Sequence, residues 1–144
     1  MMKNFILFKT KLLLFLLAYS LGFSQVFEQN YEANKSQEAI LIAAKYYEAA
    51  MSAEKWTITK TNVESPFKYN IIWENISDNQ FKMKTTVHYD LQNKKAVLNL
   101  ISTQYIYPNK EILITSTDTE TNRKKAYEVS RQLFIDSFFD FLKY

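Results

Sequence analysis

The sequence predicts an α+β domain: a twisted antiparallel sheet of about five strands, packed by an N-terminal helix and a long C-terminal helix in the order β-α-β(4–5)-α. Three observations carry this. Ile40, Ala44, Tyr47 and Met51 recur at spacings of four, three and four, one stripe of a helix. From Trp56 to Thr117 the apolar period falls to two, the signature of strands with one buried face. Beyond Thr117 a helical period returns and runs to about Leu142. A sheet with helices on one face is the simplest way to hide these stripes.

The chain opens on an address. Lys3, Lys9 and Lys11 precede Leu12–Leu21, a stretch without charge, and Gly22 and Ser24 place small residues ahead of Gln25. This order predicts a secretory signal peptide over residues 1–24 and a single globular domain over 25–144. The apolar run is shorter than the roughly 20 residues that cross a bilayer. With no cysteine in the chain, no thiol exists for a lipid anchor. The expectation is export through the Sec pathway to the periplasm or beyond, without integral membrane insertion after cleavage.

Gln25–Tyr31 reads as a short first strand with Phe27 and Tyr31 on one face. Asn34, with Gln37 three residues on, predicts a helix start, and the helix runs to about Ala53. Ala43 and Ala50 widen its apolar stripe. Trp56 and Ile58 begin a strand that Ser65-Pro66 ends. Phe67, Tyr69, Ile71 and Trp73 alternate with polar or smaller neighbours, and so do Phe81, Met83, Thr85, Val87 and Tyr89. Lys95–Tyr107 carries apolar residues on both sides, Val97, Ile101 and Tyr105 against Leu98 and Leu100, which predicts a central strand. Glu111–Thr117 is the last strand. Thr117–Glu120 opens the final helix as a capping box or with Asp118 as cap. Tyr127, Ser130, Phe134, Ser137, Phe138 and Phe141 lie on one face of it, with Ile135 and Phe139 to one side. That arc is unusually wide, so its C-terminal half is either deeply buried or meets a partner at Ile135 and Phe139.

Charge and glycine content exclude several function classes. The chain has 18 basic and 15 acidic residues. Three of the basic ones lie in the leader, so residues 25–144 are balanced and their basic pI disappears. A nucleic-acid partner would need a clustered excess of Lys and Arg, and none is expected. The only glycine is Gly22. Phosphate-cradling loops and the G-x-S-x-G elbow need glycine for close approach or a strained turn, so neither is present. Left-handed turn positions must then fall to Asn or Asp, with Asn75, Asp78, Asn79, Asn93 and Asn109 as candidates.

The segment FSQVFEQNYEANKSQEAILIAAKYYEAA resembles the start of small exported bacterial domains of unknown function with a TATA-binding-protein-like fold. In those domains a short strand after the signal leads into a helix that begins at a Lys-Ser-like cap and carries aromatics near its end. Lys35-Ser36 and Tyr46-Tyr47 stand at those places. The resemblance implies a fold and a compartment, and no catalytic residues.

Candidate chemistry is sparse. His88 is the single histidine, beside Asp90 on the polar side of its strand. It could serve a hydrolase, and the plainer reading is a solvated histidine. One histidine and no cysteine leave no ligand set for a transition metal, and no cofactor is expected. Asp136 and Asp140 share a helix face and could do acid–base work, or form a solvated edge. Arg123-Lys124-Lys125 is an anion contact or a solvated flank. Lys82, Lys84 and His88 share one strand face with Thr86, a basic, hydroxyl-bearing surface able to hold a sugar or a peptide. Tyr69, Trp73, Phe134 and Phe138 could instead line a cavity for a small hydrophobic ligand between sheet and helix. No catalytic residue is assigned. The sequence thus predicts a non-catalytic binding or accessory domain, with an unknown protein, a glycan or a small hydrophobic ligand as partner.

Overall fold

The computed structural model describes residues 28–76 and 81–144. The expected signal peptide over residues 1–24 and its expected cleavage point, Phe27, and the turn candidates Asp78 and Asn79 lie outside the described residues. The order of elements is β1 (Glu28–Glu32), α1 (Gln37–Ala53), β2 (Thr57–Ser65), β3 (Lys68–Ile76), β4 (Lys82–Gln92), β5 (Lys95–Ile106), β6 (Glu111–Ile114), α2 (Thr121–Arg131), a π-helical turn (Gln132–Asp136) and α3 (Ser137–Leu142). All strand pairings are antiparallel, in the order β1-β5-β4-β3-β2, with β6 also pairing with β5. This is the α+β architecture the alternation predicts, and β5 is central.

One rim of β5 is shared. β1 pairs with residues 95–99 and β6 with residues 103–106. Between them the Leu100 carbonyl accepts from Tyr127 Oη at 3.0 Å, so a side chain from α2 satisfies a ladder acceptor. At the same level the β4–β5 register slips, Thr86 facing Ser102 and Val87 facing Leu100. Ile101 is the extra residue and is left exposed. The bulge corrects the reading of β5. Tyr105 does not share a side with Val97, because one inserted residue inverts the alternation after it.

The caps differ from expectation. Ser36, not Asn34, caps α1, its Oγ accepting from Ala39 N, and Gln37 Nε2 instead donates to the Leu91 carbonyl at 2.8 Å. Glu120 caps α2 by accepting from Asn122 N and Arg123 N. Asp118 accepts from Thr115 N one turn earlier. Among the described residues the left-handed positions are Lys55, Asn62 and Lys94 rather than Asn75, Asn93 or Asn109. Lys55 follows α1 in a Schellman arrangement, with Lys55 N bonding Ser52 O and Trp56 N bonding Met51 O. A chain without glycine here must put a side chain where glycine is usual.

The last helix is interrupted. The π turn advances its register by one residue, so Leu142 takes the inward position and Phe141 rotates outward. The Leu133 carbonyl in that turn accepts from Tyr47 Oη at 3.1 Å and from Ser137 Oγ. The core lies between the sheet and the helices, around Trp73, Tyr69, Tyr89, Phe134 and Phe138. Ala50, expected on the α1 core stripe, is exposed.

Candidate functional site

The register builds two surfaces on opposite sides of the molecule. On the sheet side, Lys82, Lys84, Thr86, His88 and Asp90 project from β4 away from the helices. His88 is flanked by Asn70 on β3 and Asn99 on β5, and Thr86 by Ile72 and Ser102. Thr57, Thr59 and Thr61 extend the array on β2. No described element covers this face. His88 Nδ1 lies 2.7 Å from Asn70 Oδ1. The imidazole is therefore oriented by an amide rather than by a carboxylate, which leaves Nε2 for a partner.

The face is not net basic. Lys82 is paired with Glu74, and Glu74 also stands beside Lys84 in the register. Lys68 faces Asp90, and Lys95 faces Glu32. Tyr69 and Tyr89 do not flank it, since alternation turns both inward. Its apolar points include Ile72, Val97, Ile101, Ile106 and Leu113, of which Ile101 and Leu113 are exposed.

Tyr69, Trp73, Phe134 and Phe138 are brought together, but on the other side of the sheet from Lys82, Lys84 and His88. Each is at most 1% exposed. Trp73 stacks on Phe134 at 5.6 Å, and Trp56 meets Phe134 edge-on at 5.0 Å. Phe138 sits between Tyr47 and Tyr89 at 5.3 and 5.7 Å. These rings fill the space between sheet and helix with one another. Burial holds the hydroxyls of Tyr69 and Tyr89 well above the usual phenol range, and the Glu48 charge adds to it. Ile135 is fully buried, and Phe139 is nearly so, stacked on Tyr31 at 5.4 Å. Most of the wide apolar arc of the last helix is thus consumed within the fold, with Phe141 left at the surface.

The acidic candidates face solvent with partners. Arg131 reaches Asp136 at 3.0 Å and Lys143 reaches Asp140 at 3.0 Å. Arg123 pairs with Asp118. Among the described residues no group of three or more His, Cys, Asp or Glu could hold a metal ion. None of the described helices is long and apolar enough to cross a membrane.

In fold the chain resembles TBP-like proteins. It is similar to a TBP-like protein from Parabacteroides distasonis at 12% identity and a TM-score of 0.56, over 81% of this chain and 91% of that one. It is also similar to a DUF4468 family protein from Bacteroides ovatus at 11% identity and a TM-score of 0.54, over 78% and 84% of the two chains. No family model matches the sequence. No curated protein matches it either. The TBP-like likeness establishes architecture, and the surfaces have to be read from this chain's own residues.

The second surface escaped the sequence reading. On the helical side, α1 and α3 enclose an open groove of about 480 Å³ lined by Lys35, Ala39, Ile42, Ala43, Tyr46, Phe141 and Tyr144. Ile42, Tyr46, Phe141 and Tyr144 are all exposed. The signal was present as Ala39, Ile42, Ala43 and Tyr46, a second stripe at i, i+3, i+4 and i+7, turned away from the core stripe of the same helix.

Proposed function

We propose that this chain is an exported, non-catalytic binding domain whose open sheet face engages a polypeptide partner. The observation that carries the reading is the array of His88, Asn99, Thr86 and Ser102, with buried Asn70 orienting His88, on a face that no described element covers. Amides and hydroxyls in register suit backbone and side-chain hydrogen bonding. Ile101, lifted by the bulge, and Leu113 supply apolar contact. A glycan is a poorer fit, since sugar rings are held by aromatic platforms and the aromatic side chains of β3 and β4 point the other way. A small-ligand carrier has less support, because its expected walls pack against each other. The hydrolase reading has less support too, because an amide takes the place of an orienting carboxylate at His88.

Two measurements test this. A photo-crosslinking residue replacing Thr86 or Ser102 is expected to give a discrete protein adduct in the native compartment, while the same residue at Lys124 gives none. Equal adducts at all three positions, or none, would overturn the sheet-face reading. The export part rests on the leader pattern alone. Intact mass of the native product should correspond to a chain starting at Gln25, and a product retaining Met1 would overturn it.

A further inference from the structure

We infer that the groove between α1 and α3 is the seat of a second copy of this chain, docked antiparallel through α1 about a two-fold axis. Four of the exposed large apolar residues, Ile42, Tyr46, Phe141 and Tyr144, gather at this one groove. Such clustering, unlike scattered surface apolar groups, marks an interface. Ala39 and Ala43 keep the floor low enough for another helix to approach closely.

Charge selects the occupant. Glu38 and Lys45 are both exposed, and neither makes an ion pair among the described residues. They stand seven residues apart, two helical turns, on one flank of the stripe. In an antiparallel pair of α1 helices, a two-fold axis brings the same flank of both copies together. If it passes between residues 41 and 42, Glu38 of each copy lies opposite Lys45 of the other. The same register sets Ile42 against its own image. It places Tyr46 over Lys35 and Ala39 of the second copy, two of the residues that line that copy's groove. A single register therefore satisfies the apolar contact, both charge pairs and a cation–π contact. The patch is small for a permanent interface, so the dimer forms reversibly with concentration.

Sedimentation velocity of the chain between about 5 and 500 µM should show a rising dimer fraction. Ile42→Asp should remain monomeric throughout with an unchanged circular dichroism spectrum. Glu38→Lys and Lys45→Glu should each weaken the dimer about tenfold, since each reverses two symmetry-related pairs. The double exchange should restore it. A wild-type chain that stays monomeric, a dimer that survives Ile42→Asp, or a double exchange weaker than either single one would each overturn the inference.

Discussion

Tyr47 Oη lies 2.6 Å from Ser137 Oγ, and both hydroxyls address the Leu133 carbonyl that the π turn releases. A π turn leaves a helix carbonyl without its regular partner, and here one hydroxyl from each of two helices replaces it. The interruption lets Phe134, Ile135, Phe138, Phe139 and Leu142 all turn inward. Tyr47→Phe keeps the ring packing on Trp73 and Phe138 and removes only the donor. It should lower the stability of the fold by about 1–2 kcal/mol, read from urea unfolding.

Thr85 and Thr103 are fully buried and their Oγ1 atoms lie 2.7 Å apart across β4 and β5. Each satisfies the other. Thr85→Val alone should destabilise by about 1–3 kcal/mol, because it strands the Thr103 hydroxyl. The double change to Val should recover most of that loss, and the coupling emerges from a double-mutant cycle of unfolding free energies.

Lys55 holds φ of 70° at the position after α1 where glycine is usual. Lys55→Gly should stabilise by about 0.5–1 kcal/mol, by removing the Cβ penalty of the left-handed conformation. Lys55→Ala, which keeps the Cβ, should give no such gain. A shifted urea midpoint at constant slope is the readout.

The phenols set the alkaline limit. Burial pushes Tyr47 and Tyr127 up to about 12 from 10.0, and it raises Tyr69 and Tyr89 as well. A folded-state pKa above the unfolded value favours folding fully below pH 10. Above that, the unfolded chain ionises its phenols first, and the advantage is lost as pH rises through the folded values near 12. Stability should therefore be level up to about pH 10 and then fall steeply. Phenolate absorbance of these tyrosines should appear together with loss of the far-ultraviolet signal, not before it.

Most of the sheet was legible because alternation is a local signal. Tyr69, Ile71 and Trp73 face the helices, as do Thr85, Val87 and Tyr89, as period two requires. What was lost in reading was phase. The bulge at Ile101 and the π turn after Arg131 each insert one residue, and a run apolar on both sides conceals such a step. Tyr105 and Phe141 were misplaced for that reason. The motif reading placed the cap at Asn34, which also offers a side-chain acceptor within one turn of the true site, whereas the resemblance pointed to Lys35-Ser36, where Ser36 is the cap. The polar rows of β4 were readable from spacing, but the neutralisation of Lys82 by Glu74 needed the strand register. The α1–α3 groove as a whole is not legible in the sequence, because α1 carries two apolar stripes and only the core one is needed to pack the sheet, and because Phe141 arrives only through the π turn.

The rims of the sheet constrain how the molecule can meet its neighbours. One rim is divided between β1 and β6, each too short to serve as a template. The other is β2, whose ladder slips between Thr61 and Ser65 around the left-handed Asn62. Neither border offers a long, straight run of free amides and carbonyls, so strand-by-strand growth into fibrils is discouraged. Contacts between molecules are left to side chains on the two broad faces, where they can be specific and reversible.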